Sequence, residues 1–369
     1  MAENSNDHWK NLLPEQRIGA NLGIGTDHVA GKSILLTGAG GCIGAALAKR
    51  ILIGKPRSLV LLDRCEQSLY QLGRCLSRME GASPFRLVPG DVGDLCLVDA
   101  LFEEHRPDLI LHAAAYKHVP LMEANPFAAV QNNAILTWQL AKAAAEAGLP
   151  QLLLISTDKA ANPHSILGAS KKVAEQAVLR WSGLSRHYAG IRLVNVLGSE
   201  GSALPLFLEQ IDHGGPLTIT HPDAARYFMT IEDTVRLILA AAALPDGGVV
   251  YVPEVSAPVR IVEIAERLVR HKLGGNRTIP VEFTGLRPGE KLREDLLSMD
   301  ESSRTTPHPS IHEVVSHPVS PGAFDHAFAQ LSEAVKRRHL AALLEALGQL
   351  VPTYQSSGAL CLDQVCSHG

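Results

Sequence analysis

The residues most able to do chemistry near the start of the chain form a glycine cluster, Thr37-Gly38-Ala39-Gly40-Gly41-Cys42-Ile43-Gly44. Gly38, Gly41 and Gly44 fit the pattern TGxxGxxG. The first glycine lets the chain turn sharply. The second lets backbone approach a pyrophosphate with no Cβ in the way, and the third lets helix pack closely on strand. Cys42 and Ile43 open the following helix, whose amino end offers N–H groups and partial positive charge to phosphates. Asp63 stands at the end of the next apolar run, where a carboxylate can accept from ribose hydroxyls. Its charge repels a 2′-phosphate, so NAD is expected. Arg64 beside it could pair with that phosphate, which keeps NADP as the less favoured cofactor. Gly90-Asp91-Val92 follows a third apolar run and can meet an adenine edge, although an aspartate there is also a common turn or cap residue.

These residues need a scaffold that brings several loops to one edge. Apolar runs at Ser33–Thr37, Ser58–Leu62, Pro84–Val88, Asp108–Ala113, Gln151–Ser156 and Ile191–Val196 are separated by helical spacers. Runs apolar throughout suit a sheet covered on both faces, and alternation with helices means right-handed crossovers. The expectation is an α/β, doubly wound parallel sheet of Rossmann type. A polar lead-in is expected over 1–30, the nucleotide-binding domain over 31–197 and a smaller carboxyl-terminal substrate lobe over 198–315, with some return to the sheet. Residues 316–369 then hold one helix, over Asp325–Leu350, and a frayed tail from Gln355. Thr157-Asp158-Lys159 falls at the carboxyl end of the fifth strand, where doubly wound sheets place their ligands. Adjacent residues of a strand point oppositely, so the chain must curl there, with Asn162-Pro163 as the expected cause.

Several longer motifs bear a family resemblance. They are His112-Ala-Ala-Ala-Tyr-Lys-His-Val-Pro120 with Glu123-Ala-Asn-Pro126 and Asn132-Asn133, Ser156-Thr-Asp-Lys-Ala-Ala-Asn-Pro163 with Gly168-Ala-Ser-Lys171, Asn195-Val-Leu-Gly-Ser199, Arg226-Tyr-Phe-Met-Thr230 and Gly285-Leu-Arg-Pro-Gly-Glu-Lys291. Over roughly 30–315 the chain resembles the CapD-like polysaccharide-biosynthesis nucleotide-sugar 4,6-dehydratases, which act on UDP-N-acetylglucosamine and belong to the extended short-chain dehydrogenase/reductase superfamily. The resemblance implies transient oxidation at carbon four, loss of water across carbons five and six, and hydride return to carbon six. It implies Asp158 as acid, Lys159 as base, and Lys171 on the nicotinamide ribose at the start of a helix. Thr157 would bond the carbon-four hydroxyl. Ala113, Ala114 and Ala115 would line the cofactor, and Lys117, His118, Asn195, Arg226, Arg287 and Glu290 the UDP-sugar, with both arginines on its pyrophosphate. On these roles Asp158 should be held protonated and Lys159 deprotonated. Leu167 stands where superfamily members usually carry tyrosine; long members of the group resemble this chain in having an apolar residue there.

Composition excludes other classes. The 369 residues are 46% hydrophobic and 20% charged, enough for a core and against disorder. A net charge of −4 argues against a nucleic-acid coat. The polar start and the lack of a long apolar run predict a soluble, cytoplasmic chain without a transmembrane segment, whereas long family members carry an amino-terminal membrane region. Six scattered cysteines predict reduced thiols and no metal site. Family analogy makes a homo-oligomer the expected state, packed through helices near Pro126–Ala147 and Ser170–Trp181. The alternatives are a nucleotide-sugar epimerase or reductase, and a module that binds NAD and a nucleotide sugar without turnover.

Overall fold

The computed structural model describes residues 26–357 apart from 80, 82, 184–185, 200, 275–277 and 317–318. The expected lead-in up to residue 25, and the tail from 358 with Cys361 and Cys366, lie outside the described residues. Strand β1 (Ser33–Thr37) leads into α1 (Cys42–Ile53), β2 (Ser58–Asp63), α2 (Glu66–Leu76), β3 (Phe85–Pro89), α3 (Leu95–His105) and β4 (Leu109–His112). Next come α4 (Val119–Glu123), α5 (Pro126–Val130), a π-helical turn (Gln131–Ile135), α6 (Leu136–Glu146), β5 (Gln151–Thr157), a 3-10 turn (Asp158–Ala160), α7 (Ile166–Arg180) and β6 (His187–Leu193). Then follow β7 (Asn195–Val196), α8 (Ala203–Asp212), β8 (Leu217–Ile219), β9 (Ala225–Arg226), β10 (Phe228–Met229), α9 (Ile231–Ala243) and β11 (Val250–Pro253). The chain continues through β12 (Val259–Arg260), α10 (Ile261–Leu273), β13 (Val281–Phe283), β14 (Ser302–Thr305), β15 (Ile311–Val315), α11 (Pro321–Arg337) and α12 (Leu340–Leu350).

The main sheet has the order β14-β15-β11-β6-β5-β4-β1-β2-β3. From β3 to β11 every neighbouring pair is parallel, and β15 and β14 extend it antiparallel. This is the doubly wound α/β fold. Its strands are apolar throughout because both faces are covered. Ile34 and Leu36 enter one core, with Leu47 and Ile51 of α1, while Leu35 between them enters the other, with Phe102 and Leu140. The strand order reverses between β1 and β4, which opens a crevice beyond their carboxyl ends. Away from the sheet, Leu204 and Phe207 of α8, Ile264 and Leu268 of α10, and Leu217 and Ile219 of β8 form a separate small core.

Several sequence expectations need correction. The sixth strand runs over His187–Leu193, starting earlier than Ile191 because it pairs with β5 from Gln151↔His187; Asn195–Val196 instead pairs with β10. Residues 26–30 are more than a lead-in, since Val29 is fully buried in the first core. The expected helix Asp325–Leu350 is two helices. Arg338 takes φ 54°, and His339 Nδ1 caps the second by accepting from Ala342 N at 3.1 Å. Helix α7 begins at Ile166, so Lys171 sits inside it; Ser165 Oγ caps the helix, accepting from Gly168 N at 3.0 Å. The stretch Pro126–Ala147 is interrupted by the π-helical turn.

The faces expected to pack against a second subunit are largely covered by the chain itself. Leu167, Val173 and Ala177 of α7 share one core with Phe324, Phe328 and Leu331 of α11 and Leu343 and Leu347 of α12. Trp138 of α6 stacks on Phe328 with centroids 5.1 Å apart. Part of the expected frayed tail is also fastened: Gln355 N donates to Pro163 O at 3.0 Å and Ser357 Oγ to Glu123 Oε2 at 2.8 Å.

Candidate active site

A cavity of about 260 Å³ lies over the crevice between β1 and β4. Gly38, Gly41, Asp63, Arg64, Asp91, Val92 and Ala113 to Ala115 all line it. The glycine turn can sit there only without side chains at two points. Gly38 has φ +67°, and a Cβ on it would lie 2.5 Å from Ala114 N. A Cβ on Gly44 would lie 2.1 Å from Gly38 O, so this glycine serves contact between the helix and its own turn. A Cβ on Gly41 would meet nothing closer than 3.4 Å, so its bareness leaves space on the ligand side. No side chain caps α1, which begins at Cys42 and Ile43.

The Asp63 carboxylate is fixed at both oxygens. Oδ2 accepts from Gly40 N and Oδ1 from Cys65 N, each at 2.8 Å. Each oxygen keeps a further lone pair for a hydroxyl donor. Arg64 is drawn elsewhere: its guanidinium lies 4.4 Å from the Tyr116 ring centroid, donates to Asn132 Oδ1 at 3.3 Å and stands 3.7 Å from Asp91 Oδ2. Asp91 Oδ1 accepts from Gly93 N at 2.8 Å, the turn-forming bond that competes with a purely adenine-binding role. Turn, uncapped helix end and fixed carboxylate together fit a dinucleotide.

Behind this cavity, buried His112 ties β4 to β1. Thr137 Oγ1 gives its hydrogen to Asn133 O at 2.8 Å, so it accepts from His112 Nε2 at 2.9 Å. Nδ1 therefore accepts from Thr37 Oγ1 at 2.7 Å. Burial, reinforced by the Lys171 charge, holds the ring neutral, with its pKa pushed down to about 3.

A larger cavity of about 720 Å³ borders the small lobe, and Lys117, His118, Lys159, Asn195, Arg226, Arg287 and Glu290 all contribute to its wall. Strand β5 ends at Thr157 and the chain tightens at once into the 3-10 turn, which begins with Asp158 and Lys159. That turn produces the curl, so Asn162-Pro163 is not its cause. Asn162 instead fastens the loop, its N–H donating to Ser298 Oγ at 3.1 Å and its Oδ1 accepting from Met299 N at 2.9 Å. Asp158 is fully buried. Its Oδ1 accepts from Lys159 Nζ at 2.9 Å and from Thr157 Oγ1 at 3.0 Å, and Oδ2 lies 3.5 Å from Asn195 Nδ2.

The resting charge state opposes the expectation for Lys159. Burial alone would lower its pKa, but the Asp158 and Glu294 carboxylates outweigh burial and hold it above the usual lysine range. Lys159 therefore rests as an ammonium, 2.9 Å from Asp158 Oδ1. Lys171 moves the other way: burial, against the partial support of Glu175, lowers it to about 8, and its Nζ donates to Ile155 O at 2.7 Å. Leu167 is buried in the apolar core of α7.

The two arginines are already engaged. Arg226 donates to Ala225 O, Leu292 O and Lys291 O at 2.8–3.0 Å, a bracing role that leaves fewer donors for a phosphate. Arg287 is 60% exposed and its Nε donates to Glu290 Oε1 at 3.0 Å, so Glu290 orients the cation. His118 is held below its ordinary pKa by partial burial and by the charges of Lys117 and Arg287, which gathers three basic groups at one rim. Sequence reading missed Glu294, whose side chain is 4% exposed beside Lys159. It also missed the buried network in which Arg192 donates to Glu175 and Glu301 at 2.7–3.0 Å. Neither has a local signal, because Arg192 lies in an apolar run and Glu301 far along the chain.

Known proteins resemble this chain in sequence and in fold. Residues 34–316 match the family model described as "Polysaccharide biosynthesis protein". The capsular polysaccharide biosynthesis protein CapD of Staphylococcus aureus is 40% identical over 79% of this chain and 49% of its own length. The chain thus spans about half of that relative. A UDP-N-acetylglucosamine 4,6-dehydratase (inverting) of Campylobacter jejuni is 30% identical over 74% of this chain and 80% of its own. Among solved structures, Pen from Bacillus thuringiensis superposes with a TM-score of 0.72 at 27% identity, covering 79% of this chain and 92% of that one. Among the described residues no helix is long and apolar enough to cross a membrane. With its glycine turn, its reversed strand order and its matched span, the chain belongs to the CapD-like polysaccharide biosynthesis family of the short-chain dehydrogenase/reductase superfamily.

Proposed function

We propose that the protein is an NAD-dependent nucleotide-sugar 4,6-dehydratase acting on UDP-N-acetylglucosamine. The observation that carries this reading is Asp158 and Lys159 on one tight turn, hydrogen-bonded at 2.9 Å, with Lys159 in the wall of the larger cavity. The fixed Asp63 carboxylate and the diversion of Arg64 to Asp91 and Asn132 support NAD over NADP. Gly38, Gly41, Asp63 and Ala113 to Ala115 would hold it, with Lys171 near its reactive end. The chemistry that NAD supplies when bound is a reversible store for one hydride.

The protons have a route through the chain's own groups. Thr157 Oγ1 donates to Asp158 Oδ1, so a proton received from the carbon-four hydroxyl passes to Asp158. Asp158 thereby becomes the acid that returns this proton to the departing carbon-six hydroxyl, which leaves as water. A protonated Asp158 no longer supports the Lys159 ammonium, and burial then favours the amine. Lys159 keeps 22% exposure, a path for its resting proton to reach solvent. The amine takes the carbon-five proton and later gives it back, and a proton from solvent restores the ammonium. Leu167, buried in an apolar core, leaves the proton work to this turn.

The test is mass spectrometry of UDP-N-acetylglucosamine incubated with the protein. Loss of one water is expected. Lys159→Ala and Asp158→Asn should each slow it by about 10²–10⁴-fold, the range for a general acid or base. An intact epimeric sugar as product would establish the epimerase instead, and no turnover would leave a binding module.

A further inference from the structure

The wall of the larger cavity contains a carboxylate with an unmet need. Glu294 is 7% exposed. Its Oε1 lies 3.5 Å from Lys159 Nζ and 3.8 Å from Arg226 Nε. Its Oε2 is buried and has no hydrogen-bond partner among the described residues. Buried carboxylate oxygens are almost always given a donor, because an unpaired one forfeits its hydration with nothing in return. We propose that Glu294 is a substrate-binding residue whose Oε2 accepts a hydrogen from a hydroxyl of the hexose, turning the sugar toward Lys159. This inference rests on the nucleotide-sugar reading above.

Two further observations support the assignment. The segment carrying Glu294 is clamped to the Asp158-Lys159 loop, where Lys291 Nζ donates to Ala161 O at 2.9 Å and Asn162 Nδ2 to Asp295 Oδ2 at 3.3 Å, and to β9, where Arg226 donates to the carbonyls of Lys291 and Leu292. A group held this firmly can orient a ligand at little cost in its own freedom. The charge also selects the part of the ligand. A carboxylate repels a diphosphate, so its partner is the neutral, hydroxyl-rich hexose. The basic rim of Lys117, His118 and Arg287 is the part of the same wall that suits phosphate.

The test compares the full chain with its Glu294→Gln variant, both carrying Asp158→Asn to stop turnover. UDP-N-acetylglucosamine and UDP are titrated calorimetrically into each. Glutamine keeps the shape and removes the charge. Affinity for the UDP-sugar should fall about ten- to hundredfold, the loss of one hydrogen bond to a charged group, while affinity for UDP changes less than about twofold. Equal loss for both ligands, or no loss, overturns the inference. Should the variant fail to fold, as judged by thermal melting, the protein with Glu294 intact is titrated with UDP-sugars fluorinated singly at carbons three, four and six. One fluorine, which cannot donate, should lose a similar factor; if none does, the inference is overturned. A chain that binds UDP but no UDP-sugar overturns the dehydratase reading together with this one.

Discussion

The two cavities are built from different materials. The smaller one is largely backbone: a glycine turn, an uncapped helix end and the Ala113–Ala115 loop, with Asp63 held by two main-chain N–H groups. The larger one is made of side chains brought from distant segments: Lys117 and His118 after β4, Lys159 after β5, Asn195 on β7, Arg226 on β9, and Arg287, Glu290 and Glu294 ahead of β14. The backbone cavity tolerates little because its dimensions are fixed by atoms that cannot move aside. The side-chain cavity can change its chemistry one residue at a time while its frame stands.

Gly44→Val is the strongest way to break this contrast. The new Cβ would fall 2.1 Å from Gly38 O. Overpacking of this kind costs about 1–3 kcal/mol. Denaturant titration should show that loss, and NAD affinity should fall further than UDP-sugar affinity. If both fell alike, the two cavities would not be separable. A narrower effect, confined to the cofactor and leaving the fold intact, is expected from Asp63→Ala. It removes the acceptor for ribose hydroxyls and should weaken NAD by about 1.5–3 kcal/mol, as for other hydrogen bonds to charged groups. Fluorescence titration with NAD reads it directly, and unchanged affinity would remove Asp63 from the cofactor site.

A pH titration tests Lys171, buried inside α7. Lys171 has its pKa lowered to about 8 from the usual 10.5. Between those two pH values the unfolded chain binds more protons than the folded one, so stability rises with pH across that window. Below about 8 both states are protonated and the contribution is flat. Denaturation midpoints of the parent and of Lys171→Met, compared from pH 7.5 to about 10.5, should show this rise only in the parent. A parallel pair of curves would mean that Lys171 is not desolvated.

Much of the frame was legible along the chain. Five of the six apolar runs became strands of the parallel sheet and the sixth supplied the end of another, and the turn at Gly38 and Gly41 became the wall of a cavity. These features depend on residues adjacent in sequence, whose backbone preferences and burial pattern act locally. The ends of elements were harder to read. The break at Arg338 and His339 depends on a left-handed residue and a histidine cap inside an otherwise continuous helical pattern. The family motifs named Asp158 and Lys159, but adjacency alone gave no hint of which charge each carries.

What the sequence determined by itself was the doubly wound sheet and its glycine turn, because consecutive side chains and bare glycines specify a path for the backbone. What only the tertiary structure decided was the company each charge keeps. Glu294 reaches Lys159, Glu301 reaches Arg192, and α11 with α12 covers the face of α7. Electrostatic support and desolvation depend on separation in space, and residues far apart along the chain acquire that separation only when the whole molecule has packed.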